Sequence, residues 1–407
     1  MTPRFRNLPD GTDPESIRGR HITELLLPTL TLRESALGHN LDLFARWCAR
    51  HDVSHAPHAK THMSPELSAR QLEHGAWALT AASVSQARTL REFGAARVLV
   101  ANEVADVPGL AQLRRCLNDP SFEVLTLVDS VELVAHMDRQ LTHDGEPRRL
   151  AVLIELGIDG GRSGARTLAT ARAVAQAVGA SRSLRLAGVE CFEGVAGSVR
   201  DQRTLDEVDG VLSRLGELAV TLDRDGYFES SEQIVISAGG SLFFDRLPLA
   251  VRRLPQLTRP VRAVVRAGGY LVHDYEPLAG ASPLDSHAGD PLGALRAALE
   301  LWATVLSTPE PELAIAGFGK RDAGMDIAAP TVLGRRRGAT AREEPATGLR
   351  VDRLNDQHAY LVGSTALRVG DVLRLGVTHA CTSFDKWPLI PVLDDDDVVI
   401  GTVGTRF

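Results

Sequence analysis

Lysine is nearly missing from this chain. Only Lys60, Lys320 and Lys386 occur in 407 residues, against 42 arginines. Aromatic residues are also sparse, at 5%. The four cysteines (Cys48, Cys116, Cys191 and Cys381) lack paired spacing, which argues against a disulfide framework and fits a reducing cytoplasm. Long apolar runs are absent: "ELLLPTLTL" is short and broken by Pro28, so nothing is expected to span a bilayer. The N-terminal "MTPRFRNLPDGTDPES" is polar and has no stretch of signal-peptide type. Positive charge is not in excess. A net charge of −7 argues against nucleic acid or an anionic membrane as partner.

What is present describes a globular protein. Hydrophobic residues make up 44% and charged residues 24%. The length exceeds one ordinary core, so two domains, or a barrel plus an appendage, are expected.

From about residue 30 to 275, short apolar runs alternate with amphipathic helical stretches. The strand-like runs are "VSHAPHAK", "WALTAAS", "RVLVAN", "FEVLTLVDS", "RLAVLIELGI", "LRLAGVECFEG", "QIVISAGGS" and "PVRAVVRAGGYLVHD". Apolar strands of this kind belong in a buried parallel sheet. An open doubly wound sheet would carry a G-x-G-x-x-G turn after its first strand. Here that place holds Lys60, and the number of units predicts a (β/α)8 TIM-type barrel over residues 30–275. Beyond it, helical patterns give way to short strand-like pieces such as "AYLVGS", "DVLRLGV" and "DVVIGTVGTRF", which predict a mainly β C-terminal domain over 276–407. Residues 1–29 are expected to pack on that domain. The charged "PTVLGRRRGATAREEPATGLR" reads as an exposed loop.

In a barrel, chemistry gathers at the C-terminal strand ends. Lys60, Asn102, Asp129, Glu155, Arg162, Glu193, Gly239 and Gly240 all fall there. A lysine kept in an arginine-rich chain suggests imine or proton chemistry, because arginine can do neither. Burial and neighbouring histidines are expected to lower its pKa. His55, His58 and His62 themselves read as caps and surface polar groups. "ISAGGS" ends in Gly239, Gly240 and Ser241, a turn whose bare N–H groups let an anion approach. "RAGGY", with Gly268 and Tyr270, could add further N–H groups and a phenol. Arg162, between glycines in "GIDGGRSGAR", reads as a fixed cation or as one more solvated arginine. In "THACTSFDKW", an extended chain would turn His379 and Cys381 to one face, a borderline-soft pair suited to zinc or equally a buried cysteine beside a polar histidine.

The ordered set "PHAKTH", "LEHGAWALTAAS", "VLVANEV", "ECFEG", "SAGGS", "RAGGYLVHD" and "HACTSFDKW" resembles the D-serine dehydratase-like and D-threonine aldolase-like pyridoxal-phosphate enzymes, from about residue 25 to the C-terminus. The resemblance implies the alanine racemase-like fold, pyridoxal-phosphate fold type III, a barrel plus a β-domain. It implies pyridoxal 5′-phosphate on Lys60, Arg162 near the cofactor's phenolic oxygen, and phosphate held by Gly239, Gly240, Ser241, Gly268 and Tyr270. It further implies a zinc or other divalent ion on His379 and Cys381, and a head-to-tail homodimer. The metal pair is H-x-C in the dehydratases and usually H-x-D in the aldolases, so Cys381 favours dehydration. Phe192 stands where many relatives have tyrosine.

The activity expected is β-elimination of a D-β-hydroxy amino acid, foremost D-serine, to a 2-oxo acid and ammonia. The alternative is an aldolase acting on D-threonine or 3-hydroxy-D-aspartate. A racemase would need a second base, and with a pyridoxal-phosphate carrier without turnover it ranks third. His273, Asp274, Asp326 and His358 are further pocket candidates.

Overall fold

The computed structural model describes residues 13–142, 148–275, 281–285, 289–337, 341–363 and 367–407. The chain divides into two compact units. One comprises residues 44–60 and 68–268; the other comprises residues 1–43, 61–67 and 269–407.

The first unit is the barrel. Its strands are β2 (Ser54–His55), β3 (Leu79–Ala81), β4 (Arg97–Glu103), β5 (Glu123–Val128), β6 (Leu150–Leu156), β7 (Leu184–Cys191), β8 (Ile234–Ala238) and β9 (Val261–Val265). They follow one another in parallel, and β9 pairs with β2. The remaining edges, β2 and β3, meet through Trp77 N–H donating to His55 O (2.7 Å) and Thr80 N–H to Pro57 O (2.8 Å). The strands are apolar because both faces are covered: every residue of β6 and β8 is buried. Ala56, Leu99, Leu125, Leu127, Leu153, Val235 and Val264 pack together as one of its cores.

Helices alternate with these strands. They are α1 (Glu34–His51), α2 (Pro65–Glu73), α3 (Val84–Glu92), α4 (Val107–Leu117), α5 (Val131–Leu141), α6 (Leu168–Ala180), α7 (Gln202–Arg224) and α8 (Arg246–Val251). Their starts are written in short polar side chains. Ser83, Asp106, Ser130, Thr167 and Asp201 each accept a backbone N–H from the first turn of α3 to α7 in that order. In α7, Val208, Val211, Leu212, Leu215, Leu218, Ala219 and Leu222 form the buried stripe, with helical spacing.

The second unit is mainly β. β1 (Thr29–Arg33) pairs antiparallel with β10 (Leu299–Glu310) and parallel with β17 (Leu389–Leu393). The rest of the sheet is β11 (Leu313–Ala316), β12 (Thr331–Arg336), β13 (Glu344–Pro345), β14 (Arg350–Leu354), β15 (Ala359–Val362), β16 (Val372–Gly376) and β18 (Val399–Gly404). Ile17, Ile22, Trp302, Val372, Leu393 and Val399 form a core there. The segment read as one exposed loop over 330–350 instead supplies β12 and β13. Its charges suit a sheet edge: Arg335 pairs with Glu344, and Arg336 with Asp397. Among the described residues, no helix is long and apolar enough to cross a membrane.

Candidate active site

Lys60 does not end a long strand. β2 stops at His55, and Lys60 stands in a single 3-10 turn, Ala59–Thr61. Pro57 lacks the N–H a ladder needs, which helps explain the early stop. The Lys60 side chain is exposed, so the expected burial is not found. The histidines around it hold the turn. His55 is buried and its Nε2 lies 2.9 Å from Ala267 O; burial pushes its pKa down to about 4. His58 N–H donates to Arg266 O, while its Nδ1 has no hydrogen-bond partner among the described residues. Burial, then the charges of Lys60 and Arg266, hold its imidazole well below the usual range, so it is neutral. His62, in the other unit, is buried and accepts the Ser64 N–H.

At the mouth of the barrel, acids and arginines converge from successive strand ends. Arg162, 61% exposed, lies 3.8 Å from Glu155 and 5.2 Å over the Phe192 ring. Glu103 Oε1 and Glu155 Oε2 are buried without a hydrogen-bond partner among the described residues. Burial, then the neighbouring Glu155, pushes Glu103 up to about 9. Asp129 accepts the Gly164 N–H at 3.2 Å. Asn102 sits near the end of β4 and its amide donates to Ala82 O.

Two residues not singled out in the sequence complete this ring. Arg266 donates to Ser237 Oγ (2.6 Å) and Cys191 O (3.0 Å). It also meets Glu190 at 2.8 Å as an ion pair, without the alignment of a hydrogen bond. Burial pushes Glu190 up to about 7 against the pull of Arg266. The signal was a charge set within each of two largely apolar strand-end segments.

The Gly-Gly turn follows β8. Gly239 has φ +87°, and a Cβ there would lie 3.0 Å from Val265 Cγ1. A Cβ on Gly240 would meet Phe192 at 3.1 Å. Glycine is therefore required for the close turn. Both N–H groups donate to the Glu193 carboxylate, at 3.0 and 2.6 Å. Ser241 follows the turn, and Gly268 lies just beyond β9. Tyr270 is buried in a short 3-10 turn of the second unit.

In that second unit, His379 and Cys381 are not on an extended strand. Ala380 is helical, and Cys381 opens α9 (Cys381–Phe384). A helical turn, rather than strand alternation, brings the pair together. Asp274 fixes the turn by accepting the Ala380 N–H at 2.8 Å. Asp326 Oδ2 lies 2.6 Å from His379 Nδ1, and Thr382 donates to its other oxygen. The bond to Cys381, then against burial the charges of Cys381 and Asp326, pushes His379 up to about 9. Cys381 Sγ also lies 3.5 Å from Thr61 Oγ1. Among the described residues, no three histidine, cysteine or acidic side chains gather as a metal site. The pair offers two protein ligands, with Asp326 orienting the imidazole. His273 Nε2 is 3.9 Å from Asp285, and His358 sits exposed in a turn beside Asn355.

This arrangement agrees with comparisons to known proteins. Residues 32–242, more than half of the chain, match the alanine racemase N-terminal domain, and residues 298–393 match a putative serine dehydratase domain. A D-threonine aldolase from Arthrobacter sp. is 27% identical over 94% of this chain and 93% of its own. The crystal structure of a D-threonine aldolase from Filomicrobium marinum superposes with a TM-score of 0.79 at 23% identity, covering 95% of this chain and 97% of that one. A D-threo-3-hydroxyaspartate dehydratase, solved as a cysteine-to-alanine variant in the metal-free form, gives 0.73 at 21% over 95% and 99%. The chain belongs to the alanine racemase N-terminal domain family, its barrel followed by a putative serine dehydratase domain.

Proposed function

We propose that this protein is a pyridoxal-phosphate- and divalent-metal-dependent lyase of D-β-hydroxy amino acids, and that it eliminates water to give a 2-oxo acid and ammonia. The observation that carries the choice of reaction is Cys381 beside His379, with Asp326 on the imidazole. A related dehydratase is known as a cysteine-to-alanine variant in a metal-free form, which supports a metal in the reading.

The residues present fit both groups. Lys60 offers an exposed amine, with Arg162 and Arg266 among the charges around His58. Gly239 and Gly240 form a cradle that a Cβ would fill. Imidazole and thiolate suit zinc. Lys60 would hold pyridoxal phosphate, which would supply an electron sink, and His379 with Cys381 would hold a divalent metal, which would supply Lewis acidity. Lys60, as a free amine, takes the Cα proton. His58 stays neutral beside it and so does not add a second positive charge. Arg266, held by Ser237, Cys191 O and Glu190, keeps its guanidinium in one orientation at the barrel mouth. Arg162 lies over Phe192 and balances the Glu155 charge. A homodimer is part of the same reading.

The second reading is aldol cleavage to glycine and an aldehyde, favoured by the near full-length likeness to a D-threonine aldolase. Product analysis separates the two. D-Serine, D-threonine and 3-hydroxy-D-aspartate are offered, with L-isomers as controls, with and without chelator. Ammonia and a 2-oxo acid, lost with chelator and restored by zinc, support dehydration. Glycine and an aldehyde move the protein to the aldolase reading.

A further inference from the structure

The Gly-Gly turn after β8 already holds an anion, and it is part of the chain. Glu193 opens the short 3-10 turn Glu193–Val195 that follows β7. Its side chain reaches to the neighbouring strand end, where Gly239 N–H donates to Oε2 at 3.0 Å and Gly240 N–H to Oε1 at 2.6 Å. Each oxygen takes one N–H, the forked geometry in which two adjacent amides cradle an anion. The residue is fully buried, at 0% exposure. Among the described residues no lysine or arginine forms an ion pair with it, so the two amides are its principal partners. Glu155 and Glu193 both stand near enough to Glu190 to help raise its pKa.

A phosphate placed on this turn needs the same two N–H groups. It also carries negative charge into a site where a buried carboxylate sits. Both cannot occupy the amides at once, since each N–H makes one strong hydrogen bond. A Cβ on Gly239 would meet Val265 at 3.0 Å and one on Gly240 would meet Phe192 at 3.1 Å, so bare backbone suits both positions.

We propose that Glu193 is a built-in competitor for the phosphate of the cofactor: its carboxylate occupies the anion cradle and is displaced when phosphate enters. Glu193 thereby sets how tightly phosphate-bearing ligands are held, separately from the chemistry at Lys60. The proposal rests on the reading of this turn as a phosphate site, and the test keeps the two apart.

The experiment is binding to the purified full chain stripped of cofactor, comparing the natural sequence with Glu193→Ala. The probes are inorganic phosphate and pyridoxal 5′-phosphate, with pyridoxal, which lacks the phosphate, as control. Heats of binding and the visible absorbance of the lysine-bound aldehyde are the readouts. Removing the competitor is expected to tighten phosphate and pyridoxal phosphate by about tenfold, the worth of one charge-assisted hydrogen bond. Pyridoxal should bind equally to both chains. Unchanged or weaker phosphate binding in Glu193→Ala overturns the proposal. If phosphate tightens but no aldehyde binds covalently to either chain, the cradle stands and the lysine reading falls. If the aldehyde binds covalently and phosphate affinity does not move, the lysine reading stands and the competitor falls. Should Glu193→Ala not fold, Glu193→Gln, which keeps the shape and loses the charge, carries the same comparison. Failure of both to fold makes the carboxylate a structural brace and also overturns the proposal.

Discussion

Arg266 and Glu190 meet at 2.8 Å with side chains 7% and 1% exposed, one of the most deeply buried ion pairs of the barrel. Taking both charges out of water is costly, and the pair is tolerable because Ser237 and the Cys191 carbonyl occupy the rest of the guanidinium. Removing one partner is therefore worse than removing both. Arg266→Met is expected to lose about 3–5 kcal/mol of stability in urea denaturation at pH 8. Adding Glu190→Gln should recover part of that loss. Equal stability of the single variant and the natural chain would show the pair to be idle.

Glu103 has its pKa pushed up to about 9, so it is protonated in the folded state at neutral pH. A carboxyl raised above its unfolded value stabilises fully below the unfolded pKa, and that contribution is lost as pH rises through the folded one. Melting temperature should therefore fall from about pH 4.5 and level off near pH 9 in the natural chain. Glu103→Gln should flatten this slope. A slope of unchanged steepness in the variant would assign it to other groups.

Lys60→Ala is expected to abolish the visible absorbance of cofactor joined to a lysine, while Lys320→Ala and Lys386→Ala leave it intact. Spectra of the three variants after incubation with pyridoxal phosphate decide this. Survival of the absorbance in Lys60→Ala would move the attachment to another amine.

Asp326 fixes His379 through a 2.6 Å contact, and Thr382 fixes Asp326 in turn. Loss of such an orienting carboxylate typically costs about 10–100-fold in metal affinity. Asp326→Asn should show that drop in zinc titrations, and Cys381→Ala a larger one, with cofactor absorbance unchanged in both. Zinc binding that does not respond to either change would remove the metal from this pair.

Gly239, at φ +87°, lies in the left-handed region. Gly239→Ala should cost about 1–2 kcal/mol for the backbone alone, with more from the 3.0 Å approach to Val265. Thermal denaturation measures the loss, and a variant as stable as the natural chain would mean the turn can shift.

Much of this protein is determined locally, and is legible in the sequence for that reason. A parallel strand covered on both faces must be apolar throughout, and a helix that follows it needs a short polar cap, so the eight units of the barrel announce themselves. The rarity of lysine marks Lys60 without any structure. Other features depend on residues that packing alone brings together. Nothing near Thr29–Arg33 says that its partners lie in β10 and β17, some 270 and 360 residues on. The turn at Lys60 and the helical turn at Cys381 depart from the expected extended chain, because local sequence carries no signal for where a ladder breaks. Glu193 and the glycine amides it holds are 46 and 47 residues apart, and Asp326 is 53 from His379. A hydrogen bond between distant side chains leaves no periodicity in the chain. It exists only once the strands that carry the two ends are packed side by side.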